Sequence, residues 1–99
     1  MTENKIIHKE ILEFPEDGGM IVELKLPVYA HILTAQVQNG KITLWYMWNL
    51  EVKDEEKETR KFSIIGTGWE IDKKLLVSTY INTVQLGPFV FHVFEVSDD

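Results

Sequence analysis

Every second residue from position 42 to 52 is apolar: Ile42, Leu44, Tyr46, Trp48, Leu50 and Val52. Side chains of a strand point alternately to its two faces, so this run predicts a strand with one buried face. Gln38-Asn39-Gly40-Lys41 comes just before it. Asn-Gly is a strong hairpin signal, because both central residues of a type I′ turn need positive φ. A two-residue loop here sets the register. It places Val37 opposite Ile42, Ala35 opposite Leu44, Leu33 opposite Tyr46 and His31 opposite Trp48. The same register puts Thr34 opposite Trp45 and Ile32 opposite Met47 on the reverse face. That face is too apolar to be simply solvated, so either another layer of the same chain or a second copy covers it.

Two further hairpins are expected. Residues 5–14 and 19–26 read as strands joined by Pro15-Glu16-Asp17-Gly18-Gly19, a loop of turn formers. Residues 77–86 and 89–96 flank Gly87-Pro88, where Gly supplies a positive φ and Pro a fixed negative one. Between the halves, residues 51–61 form a charge-dense stretch with almost nothing to bury, which predicts an exposed loop. A strand over 62–65 follows, then a tight turn at Gly66-Thr67-Gly68-Trp69, with room for a short helical turn over 70–76. The expected fold is all-β, a single domain over residues 1–99. It is a small antiparallel sandwich or partly open barrel of about seven strands, with at most one short helix. There is no internal repeat.

Composition narrows the function classes. Of 99 residues, 44% are hydrophobic and 26% charged, as in folded soluble domains. No cysteine is present, which removes disulfides, thiol catalysis and thiolate metal sites. The net charge of -6 argues against binding duplex nucleic acid through counterion release. The first ten residues hold no apolar run of the kind a secretory leader carries. Residues 75–94 lack a formal charge over a bilayer-spanning length, but their polar residues and Gly87-Pro88 read as two strands and a turn. No membrane span is expected.

Candidate chemistry is sparse. His8, His31 and His92 stand in no metal-ligating spacing, and Ser63, Ser78 and Ser97 in no nucleophile motif, so neither a metal nor a catalytic site is expected. The carboxylates cluster in the 51–58 stretch, and a loose loop does not hold two of them at a working separation. No enzyme and no cofactor is expected. The Gly66-Thr67-Gly68 turn is different, because successive backbone N–H groups in such a turn can cradle a phosphate. Arg60 and Lys61 precede it, Lys73 and Lys74 follow, and Trp69 offers a stacking face. The plain alternative is a structural turn between strands. Trp45, whose cross-strand neighbour is the small Thr34, is a second candidate for a ligand or interface surface. The candidate ligand-binding set is therefore Arg60, Lys61, Gly66, Thr67, Gly68, Trp69 and Trp45.

Three segments together resemble a family of small uncharacterised bacteriophage and prophage proteins. They are AQVQNGKITLW at 35–45, FSIIGTGWEI at 62–71 and YINTVQLGPFVFHVFE at 80–95. The resemblance carries over no activity and no catalytic residue. It implies a phage accessory protein in the cytoplasm of the bacterial host, and such proteins often counter host defence. Combined with the glycine turn, it points to a protein that sequesters a small anionic nucleotide signal without catalysis. Nanomolar capture needs about 12 kcal/mol, more than one shallow turn supplies, so this reading also expects a homo-oligomer. Two other readings remain at this point. One is an acidic protein–protein inhibitor using Asp54, Glu55, Glu56 and Glu58, and the other is a virion or assembly accessory protein.

Overall fold

The computed structural model describes residues 4–51, 56–75 and 78–97, the side chain of Lys74 excepted. Seven antiparallel strands form two sheets. Strands β1 (Lys5–Ile11), β3 (His31–Gln38) and β4 (Lys41–Asn49) make a three-stranded sheet in the order β1-β4-β3. Strands β2 (Ile21–Pro27), β5 (Lys57–Gly66), β6 (Ser78–Leu86) and β7 (Phe89–Val96) make a four-stranded sheet in the order β2-β5-β7-β6. Among the described residues a 3-10 turn, Lys73–Leu75, interrupts the β pattern. The sheets face each other without closing into a barrel.

The alternation in β4 does what its pattern predicts. Ile42, Leu44 and Tyr46 are buried, and Trp48 packs against them from the same face. From the opposite sheet Leu26, Phe62, Ile64, Phe91 and Val93 complete one continuous core. The strand stops at Asn49, however, so Leu50 lies in a turn and is 51% exposed, and Val52 lies outside the described residues. The β3–β4 turn forms as expected, with φ of 52° at Asn39 and 73° at Gly40.

The register next to that turn also follows the sequence, but only as far as Thr34. Val37 faces Ile42, Ala35 faces Leu44 and Thr34 faces Trp45. A β-bulge then takes up Leu33, so Ile32 pairs with Tyr46 and His31 with Met47. The expected pairs Leu33–Tyr46, Ile32–Met47 and His31–Trp48 do not form. The physical reason is side-chain direction. Without the extra residue Leu33 would point into the core, whereas the bulge turns it outward and lets Ile32 pack inward beside Tyr46.

Two other expectations change. Residues 5–14 and 19–26 do not form a hairpin: β1 pairs with β4 and β2 with β5, so the 12–20 segment crosses from one sheet to the other. Alternation marks a strand but carries no information about its partner, and a nine-residue connection leaves both options open. The charge-dense stretch is not wholly a loop either. Residues 57–61 are already strand β5, and 52–55 lie outside the described residues. Lys57, Glu58 and Thr59 are exposed there, so charge is tolerated where the strand extends past the core. The Gly87-Pro88 hairpin, by contrast, joins β6 and β7 directly.

Tyr46 is 4% exposed, and burial, with the nearby Glu10 carboxylate adding to it, raises its phenol above the usual 10.0. The unfolded chain therefore releases this proton first, and the folded state holds more protons above pH 10. The stabilisation is complete below that pH and is lost as pH rises through the folded-state value. Urea midpoints measured from about pH 9 to about pH 11 should fall more for the native sequence than for Tyr46→Phe.

Candidate functional site

The end of β5 and the β6–β7 hairpin meet at one end of the four-stranded sheet. Gly66 closes β5 opposite Phe91 of β7, and Thr67 N–H donates to the Val90 carbonyl at 3.2 Å. The chain then turns, and Trp69 N–H donates back to the Gly66 carbonyl at 3.1 Å. This folds the indole across the Gly66 backbone. A Cβ at position 66 would sit 2.5 to 2.9 Å from three atoms of the Trp69 ring, so the residue must be glycine for the ring to lie there.

Trp69 meets Phe91 edge-on with centroids 6.0 Å apart, and Phe91 in turn touches Phe14 at 5.1 Å and Phe89 at 6.3 Å. Phe91 is buried, but Trp69 and Phe89 remain 49% and 63% exposed. Between them opens a cleft of about 280 Å³, lined also by Thr67 and Pro88. No lining residue carries a charge. The Gly-Thr-Gly turn thus supports an aromatic slot. Its Thr67 and Trp69 N–H groups are already spent inside the chain, which leaves little of the expected phosphate cradle.

A chain of hydrogen bonds steadies this turn from the outer face of the sheet. Thr67 Oγ1 lies 2.8 Å from His92 Nε2, His92 Nδ1 lies 3.0 Å from Thr83 Oγ1, and Thr83 Oγ1 lies 2.6 Å from the Tyr80 hydroxyl. Both ring nitrogens of His92 are occupied, which fixes the imidazole and anchors Thr67.

The other candidate residues stand elsewhere. Arg60 lies six residues before Gly66 on the same strand, about 20 Å away at strand spacing. Its guanidinium donates to both oxygens of Glu95, at 2.6 Å and 2.8 Å, and to the Ala30 carbonyl at 2.5 Å. The Glu95 hydrogen bonds raise its already high pKa. Arg60 is a structural cation, and it does not reach the turn. Lys61 points to the opposite face, between Glu23 and Val96 in the register. Trp45 belongs to the other sheet, where the Lys9 ammonium sits 5.3 Å from its ring centroid. Sequence neighbourhood brought Arg60 and Lys61 to the turn on paper, whereas an extended strand carries them away from it. Phe14, Phe89 and Phe91 were the residues missed. The Gly87-Pro88 hairpin that delivers Phe89 and Phe91 was legible, but its packing against the glycine turn required the β5–β7 pairing.

This geometry defines an all-β sandwich with an open aromatic cleft at one end of the four-stranded sheet. The chain belongs to a domain-of-unknown-function family, DUF7352, whose sequence model matches residues 3–99. No curated protein and no solved structure matches it. Among the described residues no helix is long and apolar enough to cross a membrane, and no group of three metal-ligating side chains comes together.

Gly66→Ala tests the seat of the indole. The methyl group would displace the ring, so tryptophan emission and near-ultraviolet dichroism should change, with a loss of about 1–3 kcal/mol in urea stability from overpacking.

Proposed function

We propose that this protein is a binding module, acting without turnover, that captures a planar ring such as a nucleobase between Trp69 and Phe89. The observation that supports it is the pair of half-exposed aromatics flanking an uncharged cleft. Soluble domains usually bury such rings, and a slot between two of them suits a flat heterocycle. The proposal narrows the expectation from sequence. Recognition falls on the base, while the phosphates of a nucleotide ligand stay in solvent, since Arg60 is engaged with Glu95 and no cation lines the cleft.

Two stacking contacts contribute about 1–3 kcal/mol each, which places one isolated site roughly between tens of millimolar and tens of micromolar. Tighter capture requires further contacts from the ligand or from a second copy. The setting we propose is a phage or prophage protein in the bacterial cytoplasm that lowers the free level of a host nucleotide signal. It rests on the segment resemblance given above.

Titration of the protein with nucleosides, nucleoside monophosphates and cyclic dinucleotides, followed by tryptophan emission and calorimetry, tests this reading. Saturable binding is expected for all three, with little dependence on phosphate number or salt. Trp69→Ala and Phe89→Ala should each weaken it by roughly tenfold to a hundredfold, the loss of one stacking face. Absence of saturable binding at tens of millimolar ligand, or binding that Trp69→Ala leaves intact, refutes it.

A further inference from the structure

Each sheet has two edges, and they differ in how they are covered. Strands β3 and β6 lie alongside one another, joined by the Thr34 hydroxyl donating to Asn82 Oδ1 at 2.7 Å. Strands β1 and β2 form the other edges, each with a single ladder partner. Unpaired strand edges template the addition of another strand unless charge or geometry forbids it.

Hydrogen-bond parity shows which backbone groups those edges offer. Ile64 N–H donates to Met20 and Val28 N–H to Glu56, so the even-numbered residues of β2 exchange bonds with β5. The N–H and C=O groups of Ile21, Glu23 and Lys25 therefore point outward. In β1, Leu12 N–H donates to Ile42 and Leu50 N–H to Asn4, so Lys5, Ile7, Lys9 and Ile11 offer the outward groups.

We infer that the β2 edge pairs with the β2 edge of a second copy, antiparallel about a two-fold axis at Leu24, to make one eight-stranded sheet. About that axis Glu23 of one copy stands opposite Lys25 of the other, twice, as hydrogen-bonded pairs with their side chains on the same face. Pro27 has no N–H to donate and its carbonyl already accepts the Ala30 N–H at 3.1 Å, so the ladder between the copies consists of the two Glu23–Lys25 pairs. On the inner face Leu24 meets Leu24 and Val22 meets Leu26. Val22 and Leu24 pack on the core yet remain only half-buried, because nothing lies beyond them in the sheet.

The alternatives lack this match. Moving the β2 axis by one residue in either direction sets Glu23 against Glu23 or Lys25 against Lys25. On β1 an axis at His8 pairs Lys9 with Ile7, and its neighbours set Lys5 against Lys9 or Lys9 against itself. Like charges directly opposite are unfavourable and opposite charges favourable, so only the Leu24 axis is self-complementary. No β2 residue lines the Trp69 cleft, so the dimer leaves both clefts open, and its test is independent of ligand capture.

Sedimentation equilibrium over a wide concentration range tests the dimer. The native sequence is expected to dimerise reversibly. Glu23→Lys and Lys25→Glu each turn two attractive pairs into two repulsive ones and should weaken association by roughly tenfold. The double exchange, Glu23→Lys with Lys25→Glu, should restore it. Circular dichroism of each variant reports the fold separately. Hydrogen exchange should show the Glu23 and Lys25 amides protected at high concentration and released on dilution. A protein monomeric at every concentration, or a dimer indifferent to the single reversals, overturns the assignment.

Discussion

The Arg60 guanidinium is where the two sheets are tied together. It sits on β5, holds Glu95 of β7 through two hydrogen bonds, and reaches the Ala30 carbonyl at the entry to β3. The pair is mostly shielded, with side chains 18% and 26% exposed. A charge in such a place is tolerated only when its donors are matched, and here three of them are. The β2–β3 crossover is thereby fixed over the four-stranded sheet, and β3 is set on the path that brings Thr34 to Asn82.

That same interaction reshapes the functional reading. A basic residue six positions from a glycine turn reads, along the sequence, as part of an anion site. In the folded chain its charge is already balanced by Glu95, and the turn it was meant to serve presents aromatic rings instead. What the far end of β5 retains is apolar recognition: a ring laid over Gly66, a second ring on the hairpin, and a histidine wedged between two threonine hydroxyls beneath them.

Much of the architecture was legible because alternation and turn chemistry are local. Ile42, Leu44 and Tyr46 announced their face, and Asn39-Gly40 announced their turn. Three features were not local and escaped. The bulge at Leu33 arises from fitting Ile32 against Tyr46, which no window of β3 alone reveals. The partners of β1 and β2 lie thirty or more residues away, and nothing in KIIHKEI or IVELKLP names them. The aromatic cleft needed β5 to sit beside β7, so Trp69 was visible as a candidate while Phe89 and Phe91 were not.

The order of the strands also has a consequence for biogenesis. Strand β1 pairs only with β4, and β2 only with β5, so both leave the ribosome before the strands that complete them. Until residue 63 has been made, the IVELKLP segment lacks its full intramolecular ladder, and the loop that must close is long.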